Sequence, residues 1–125
     1  MAAPLVPTAK TILASAARTA SVTGDDQINL GYRGMHLVID VTAAAATPSV
    51  VFTIQGKDRT SGKYYTILES AAITATGTTV LRVYPDLTAS ANVTVNDVLP
   101  ECWRVIATAA DADSLTYSVG ASLLP

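Results

Sequence analysis

Charge, cysteine and aromatic residues are all scarce in this chain, and each shortage excludes something. Only 14% of the 125 residues are charged, against roughly 25% in ordinary soluble domains. Eight Lys and Arg face ten Asp and Glu, for a net charge of -2. A clustered basic footprint that could displace phosphate counterions is therefore missing, and nucleic acid is not an expected partner. The single cysteine, Cys102, cannot form an intramolecular disulfide, and with one histidine, His36, no conventional structural zinc site can be assembled within one chain. No apolar run approaches the roughly 18 to 20 residues of a membrane-spanning helix, so no membrane partner is expected either. Residues 1–7 have no basic start, and two prolines break their apolar stretch, which does not match a signal peptide.

What the chain does have is short apolar bursts. Half of its residues are hydrophobic and its mean hydropathy is +0.37. A chain of this length can bury roughly two-thirds of its unfolded surface in one core. With so little charge, part of the remaining surface is expected to be apolar or Ala/Thr-rich and covered by a partner.

Helix signals are weak: the Ala-rich segments at 14–20 and 43–46 are too short to stand alone. Strand signals are strong. In residues 48–70, Val50, Phe52 and Ile54 alternate with Val51, Thr53 and Gln55, a polar turn follows over 57–62, and Tyr64 to Leu68 resume an aromatic and β-branched pattern. That is a β-hairpin, with Gly62 free to take the positive φ of its loop. Further strands are expected at 11–17, 27–32, 35–42, 78–84, 102–108 and 114–123, with 87–98 a surface loop or weak edge strand. Short strands punctuated by turns predict an all-β antiparallel β-sandwich of jelly-roll type, with an immunoglobulin-like connectivity as the alternative. Residues 1–10 read as an extended N-terminal arm and 11–125 as one sandwich domain.

Candidate chemistry is thin. Gly56 to Lys63 superficially resembles a phosphate-binding loop. It has five residues between its glycines instead of four, Tyr64 where Ser or Thr is needed, and a strand where a helix must follow. His36 and Asp40 share a strand face but lie about 13 Å apart along it, too far for a hydrogen-bonded dyad. Cys102, in an alternating strand, reads as a small buried hydrophobe. Asp25, Asp26, Asp111 and Asp113 read as turn aspartates, lacking the ligand number of a calcium loop. No catalytic residue, cofactor or metal is expected.

The strings Arg33 to Thr42, Phe52 to Asp58 with Ser61 to Tyr65, Leu99-Pro100 with Trp103 to Val105, and Tyr117 to Leu123 together resemble small virion structural proteins of tailed bacteriophages, most closely capsid decoration, or cement, proteins. The resemblance covers roughly residues 31–124. It implies a non-enzymatic β-sandwich or jelly-roll subunit at the virion's capsid surface, partnered by the major capsid protein and by copies of itself as a homo-oligomer, and tying capsid subunits together. Outside the regular strands, the expected partner contacts are Lys57, Asp58, Arg59 and Lys63 at the hairpin tip and Pro4, Leu5 and Val6 in the arm. The alternatives are another virion part (tail, neck or fibre-associated) and a carbohydrate- or host-binding sandwich using Tyr64, Tyr65 or Tyr84.

Overall fold

The computed structural model describes residues 5–125. These contain ten strands: β1 (Thr8–Arg18), β2 (Val22–Thr23), β3 (Gln27–Ile28), β4 (Gly34–Ala44), β5 (Val50–Lys57), β6 (Tyr64–Glu69), β7 (Gly77–Tyr84), β8 (Thr94–Asn96), β9 (Cys102–Ala109) and β10 (Leu115–Leu124). They form two packed sheets, a β-sandwich. Sheet I runs β1-β10-β4-β7-β8, and sheet II runs β2-β9-β5-β6 with β3 also paired to β9. All pairings are antiparallel except β7 with β8, which is parallel.

Alternation decides which side chains meet between the sheets. Met35, Leu37, Ile39 and Val41 of β4 and Leu115, Tyr117, Val119, Ala121 and Leu123 of β10 point inward from sheet I. Phe52 and Ile54 of β5 and Trp103, Val105 and Ala107 of β9 answer them from sheet II, and all belong to one core cluster. Their neighbours in sequence face out, as the period of two requires. Burying an aliphatic or aromatic side chain of this kind contributes about 1.5–3 kcal/mol, so the core strands are held by side-chain burial on top of the backbone ladders.

Six of the nine connections switch sheets: β1–β2, β3–β4, β4–β5, β6–β7, β8–β9 and β9–β10. The predicted hairpin is the one adjacent antiparallel pair joined directly, β5 with β6. Its loop closes by Asp58 N–H to Lys63 O at 2.8 Å and Gly62 N–H to Asp58 O at 2.7 Å, with Gly62 at φ 75°.

Four boundaries differ from the sequence expectation. β1 starts at Thr8, so Thr8, Ala9 and Lys10, expected in an arm, are paired in sheet I with Leu123, Ser122 and Ala121. The strand expected over 27–32 ends at Ile28. There the Asn29 side chain accepts the Tyr32 N–H at 2.8 Å and donates to Tyr32 O at 2.7 Å, closing a turn that an extended chain could not make. Val22–Thr23 forms a short strand because Ala107 and Ile106 of β9 offer it a free edge. Within 87–98 the weak edge strand is real but three residues long, lying beside Arg82, Val83 and Tyr84.

Candidate interaction surface

The hairpin tip was expected to offer free charges, and the fold engages most of them. Lys57 Nζ lies 2.9 Å from Asp26 Oδ2, a residue brought in by the loop between β2 and β3. The Tyr64 hydroxyl donates to the other Asp26 oxygen at 2.8 Å. Above Tyr64, the Arg104 guanidinium stacks 3.3 Å from the ring centroid while its Nε donates to Gln55 Oε1 at 2.9 Å. Sequence reasoning gave Asp26 only as a turn aspartate and missed Gln55 and Arg104, because Asp26 and Arg104 are brought to the hairpin by the pairing of β9 with β3 and β5.

Electrostatics follow from these contacts. The Lys57 hydrogen bond, then that of Tyr64, holds the Asp26 carboxyl below the ordinary carboxylate range. In return Asp26 first, then Tyr64, raises Lys57 above the usual lysine range. Asp58 is turned inward on its own loop: the Ser61 hydroxyl (2.8 Å) and the Thr60 N–H (3.1 Å) donate to it and lower its pKa. Arg59 pairs with Glu101 across the exposed surface. Lys63 alone of the four tip residues makes no ion pair and no side-chain hydrogen bond among the described residues. Between Lys57, Asp58, Arg59, Thr60, Tyr65 and Glu101 lies a shallow polar cleft of about 350 Å³.

A second surface forms where the described chain begins. Pro4 lies outside the described residues. Leu5 and Val6 are 40% and 63% exposed, yet the backbone there is tethered: the Tyr32 hydroxyl donates to Val6 O at 2.8 Å, and Thr8 Oγ1 also donates to it at 3.1 Å. Tyr32 stands at the end of the turn built by Asn29. That turn also presents Leu30, 77% exposed, next to Ile28, 49% exposed. Together Thr8, Lys10, Ile28, Leu30, Tyr32 and Leu123 line an apolar groove of about 440 Å³ along the rim of β1. Ile28, Leu30 and Tyr32 were not among the expected contacts; the clue available in sequence was an apolar Leu30 inside an Asn29-Leu30-Gly31 turn.

The other singled-out residues fall as follows. His36 sits on the outer face of sheet I between Arg82 and Ser122, and Asp40, four pairs along, accepts from Thr78 at 3.5 Å. Cys102 is a buried free thiol at the β9 position paired with Ile28 of β3. Asp111 accepts from the Asp113 N–H and closes its own turn, while Asp113 accepts from the Thr47 N–H and hydroxyl and ties that turn to the β4–β5 loop. Among the described residues no group of three or more His, Cys, Asp or Glu could hold a metal ion. What these surfaces offer is contact chemistry: an apolar groove on one rim, and a charged, mutually neutralised knob at the β5–β6 turn. No protein-family model, curated protein or solved structure matches the chain.

Proposed function

We propose that this chain is a non-enzymatic capsid decoration protein of a tailed bacteriophage, which binds the outer surface of the head and braces contacts between major capsid subunits. The observation that carries this reading is the gathering of Leu5, Val6, Ile28 and Leu30 at one rim of a chain that is otherwise poor in charge. Apolar groups collected in this way are covered in an assembly. The strand order adds support. β1, β10, β4 and β7 lie together in one sheet and β2/β3, β9, β5 and β6 in the other, and two-sheet sandwiches, when of jelly-roll type, are an architecture used in viral capsids. Many modest contacts repeated around a shell would stabilise it through avidity.

The test is co-sedimentation of purified protein with expanded empty heads of the phage that encodes it. Saturable binding to the shells is expected, together with a raised temperature of head disruption. Protein left wholly in the supernatant with intact shells would overturn the reading. One observation favours a second reading, glycan or host-surface binding: Tyr65 is 49% exposed, lies across Gly56, and borders the polar cleft. Binding on a glycan array, lost in Tyr65→Ala, would replace the first reading with that one.

A further inference from the structure

Five arginines are present, and four of them have an engaged guanidinium. Arg18 donates to Tyr117 O at 2.8 Å and stacks on the Tyr117 ring, Arg33 lies over the ring of Tyr84, Arg59 pairs with Glu101, and Arg104 is held by Gln55 and Tyr64. Arg82 is the exception. Among the described residues it makes no ion pair and no side-chain hydrogen bond, although the residue is half-buried.

The strand register sets more unpaired donors beside it. Arg82 stands opposite His36 of β4, His36 opposite Ser122 of β10, and Arg82 next to Thr94 of β8. Leu81, Val83, Met35, Leu37, Ala121 and Leu123, their neighbours along β7, β4 and β10, are buried in the core, so the row faces outward. At the spacing of paired strands it spans roughly 14 Å. Each member can donate a hydrogen bond, and none of the four side chains does so among the described residues while none is sealed from solvent. Acceptors of matching charge are scarce. Asp40 is the one carboxylate in the strands of sheet I, and it lies four positions, roughly 13 Å, from His36; Asp86 and Asp97 lie past the ends of β7 and β8. Beside Ser122 the face sinks into a shallow hollow of about 350 Å³ over Gly120, lined also by Ala9, Thr11, Val38 and Lys10. Lys10 too has no ion pair among the described residues. A chain of net charge -2 thus presents two uncommitted cations on one face.

We infer that the outer face of sheet I binds an acidic segment of another polypeptide, with a carboxylate seated between Arg82 and His36 and the adjoining chain lying over the hollow at Gly120. Charge decides the class of ligand. The guanidinium brings one full charge in a planar fork, which matches a carboxylate taking two parallel N–H bonds; a phosphate dianion would keep an unmatched charge. Strength decides that the carboxylate is carried on a chain, because a lone ion pair at a surface gives too little to retain a free anion. A segment that also covers Val38, Val80 and the hollow adds apolar area to the pair. The inference goes beyond the assembly reading and uses no property of the shell, so its failure leaves that reading standing.

The probe is poly-L-glutamate, titrated at constant ionic strength into isotope-labelled protein and followed by amide chemical shifts. Saturable shifts are expected at Thr94, Arg82, His36, Gly120 and Ser122. Arg82→Gln should weaken binding about five- to tenfold, the scale of one surface ion pair, and should keep the wild-type thermal midpoint without ligand. Lys63→Gln, which removes the unpaired cation of the hairpin tip, should not weaken it. Sodium acetate at the same carboxylate concentration should give no saturable shift at the row. Equal saturation by acetate would overturn the polypeptide ligand and leave a free-anion site. Shifts that miss the row, or binding that survives Arg82→Gln unchanged, would overturn the site itself, and a lowered midpoint in that variant would assign the arginine to the fold instead.

Discussion

The ring of Phe52, on sheet II, meets the ring of Tyr117, on sheet I, edge to face at a centroid distance of 4.9 Å and an interplanar angle of 89°. This pair ties the two sheets together at the middle of the core, and both residues are essentially inaccessible to solvent. Phe52→Ala should therefore destabilise the protein by about 3–5 kcal/mol, combining lost transfer energy with a cavity. Phe52→Leu, which keeps most of the volume, should cost clearly less. Denaturant unfolding monitored by the fluorescence of Trp103 would measure both, and equal losses would mean that ring geometry, not volume, dominates.

Ser70 is the one buried polar side chain among the described residues, at 3% exposure. Its hydroxyl accepts the Phe52 N–H at 2.9 Å and donates to Ala71 O at 2.8 Å. Ser70→Ala removes the acceptor of a buried backbone donor, at an expected cost of about 1–3 kcal/mol. Unfolding in urea would show a lower midpoint with an unchanged slope.

Asp26 makes a pH prediction whose sign is fixed. Its pKa is depressed in the fold by Lys57 and Tyr64, so its contribution is complete above the ordinary carboxylate value of about 3.9 and is lost as pH falls through the lower folded value. Lys57 is raised, so its share is complete below the ordinary lysine value of about 10.4 and is lost as pH rises through the higher folded one. Asp26→Asn should lower the thermal midpoint at neutral pH, and the gap to wild type should close as pH falls from the ordinary carboxylate value through the depressed folded one. A gap that stayed constant would show that the pair is not responsible.

Two strand glycines should respond oppositely to alanine. A Cβ on Gly34 would collide with the Val83 carbonyl oxygen and the Tyr84 backbone. Backbone cannot rotate aside, so Gly34→Ala should cost about 1–3 kcal/mol. A Cβ on Gly120 would meet only the Lys10 carbonyl oxygen at 3.8 Å, and Gly120→Ala should stay within about 0.5 kcal/mol of wild type. Thermal denaturation of the two variants side by side decides this.

At the hairpin tip, Lys63→Glu should leave stability within about 0.5 kcal/mol and isolate any role in shell binding, measured by co-sedimentation. Lys57→Glu would set two carboxylates against each other at Asp26 and is expected to loosen the β2–β3 loop. Charge reversal at Lys57, Arg59 and Lys63 together would mix these two effects.

The strands that were legible in sequence are those whose side chains alternate in kind: Leu37-Val38-Ile39-Asp40, Val50 to Gln55, Trp103 to Ala107, Leu115 to Leu123. Burial imposes that pattern, so the pattern reports burial. β1 was under-read at its start because Thr8, Ala9 and Lys10 are exposed on both faces of an edge, leaving no alternation to see. β3 was over-read because the Asn29 side chain ends it through a local turn whose residues remain strand-compatible in composition. The hairpin was legible as structure and less so as a surface. Lys57 and Arg59 looked free in sequence; their partners Asp26 and Glu101 are 31 and 42 positions away and reach them only through the pairing of β9 with both β3 and β5.

The place of β10 in sheet I also sets an order of events during synthesis. β10, the last of the ten strands to leave the ribosome, is the strand that both β1 and β4 require on one side. Until it arrives, β1 has no partner in its sheet and β4 presents one open side, while the β5–β6 hairpin can close at once. Non-local pairing of this kind folds slowly and exposes unpaired edges on the way. A chain cut before Leu115 would therefore not be a trimmed sandwich: with β10 gone, β1 would also lose the one neighbour it has in sheet I among the described residues.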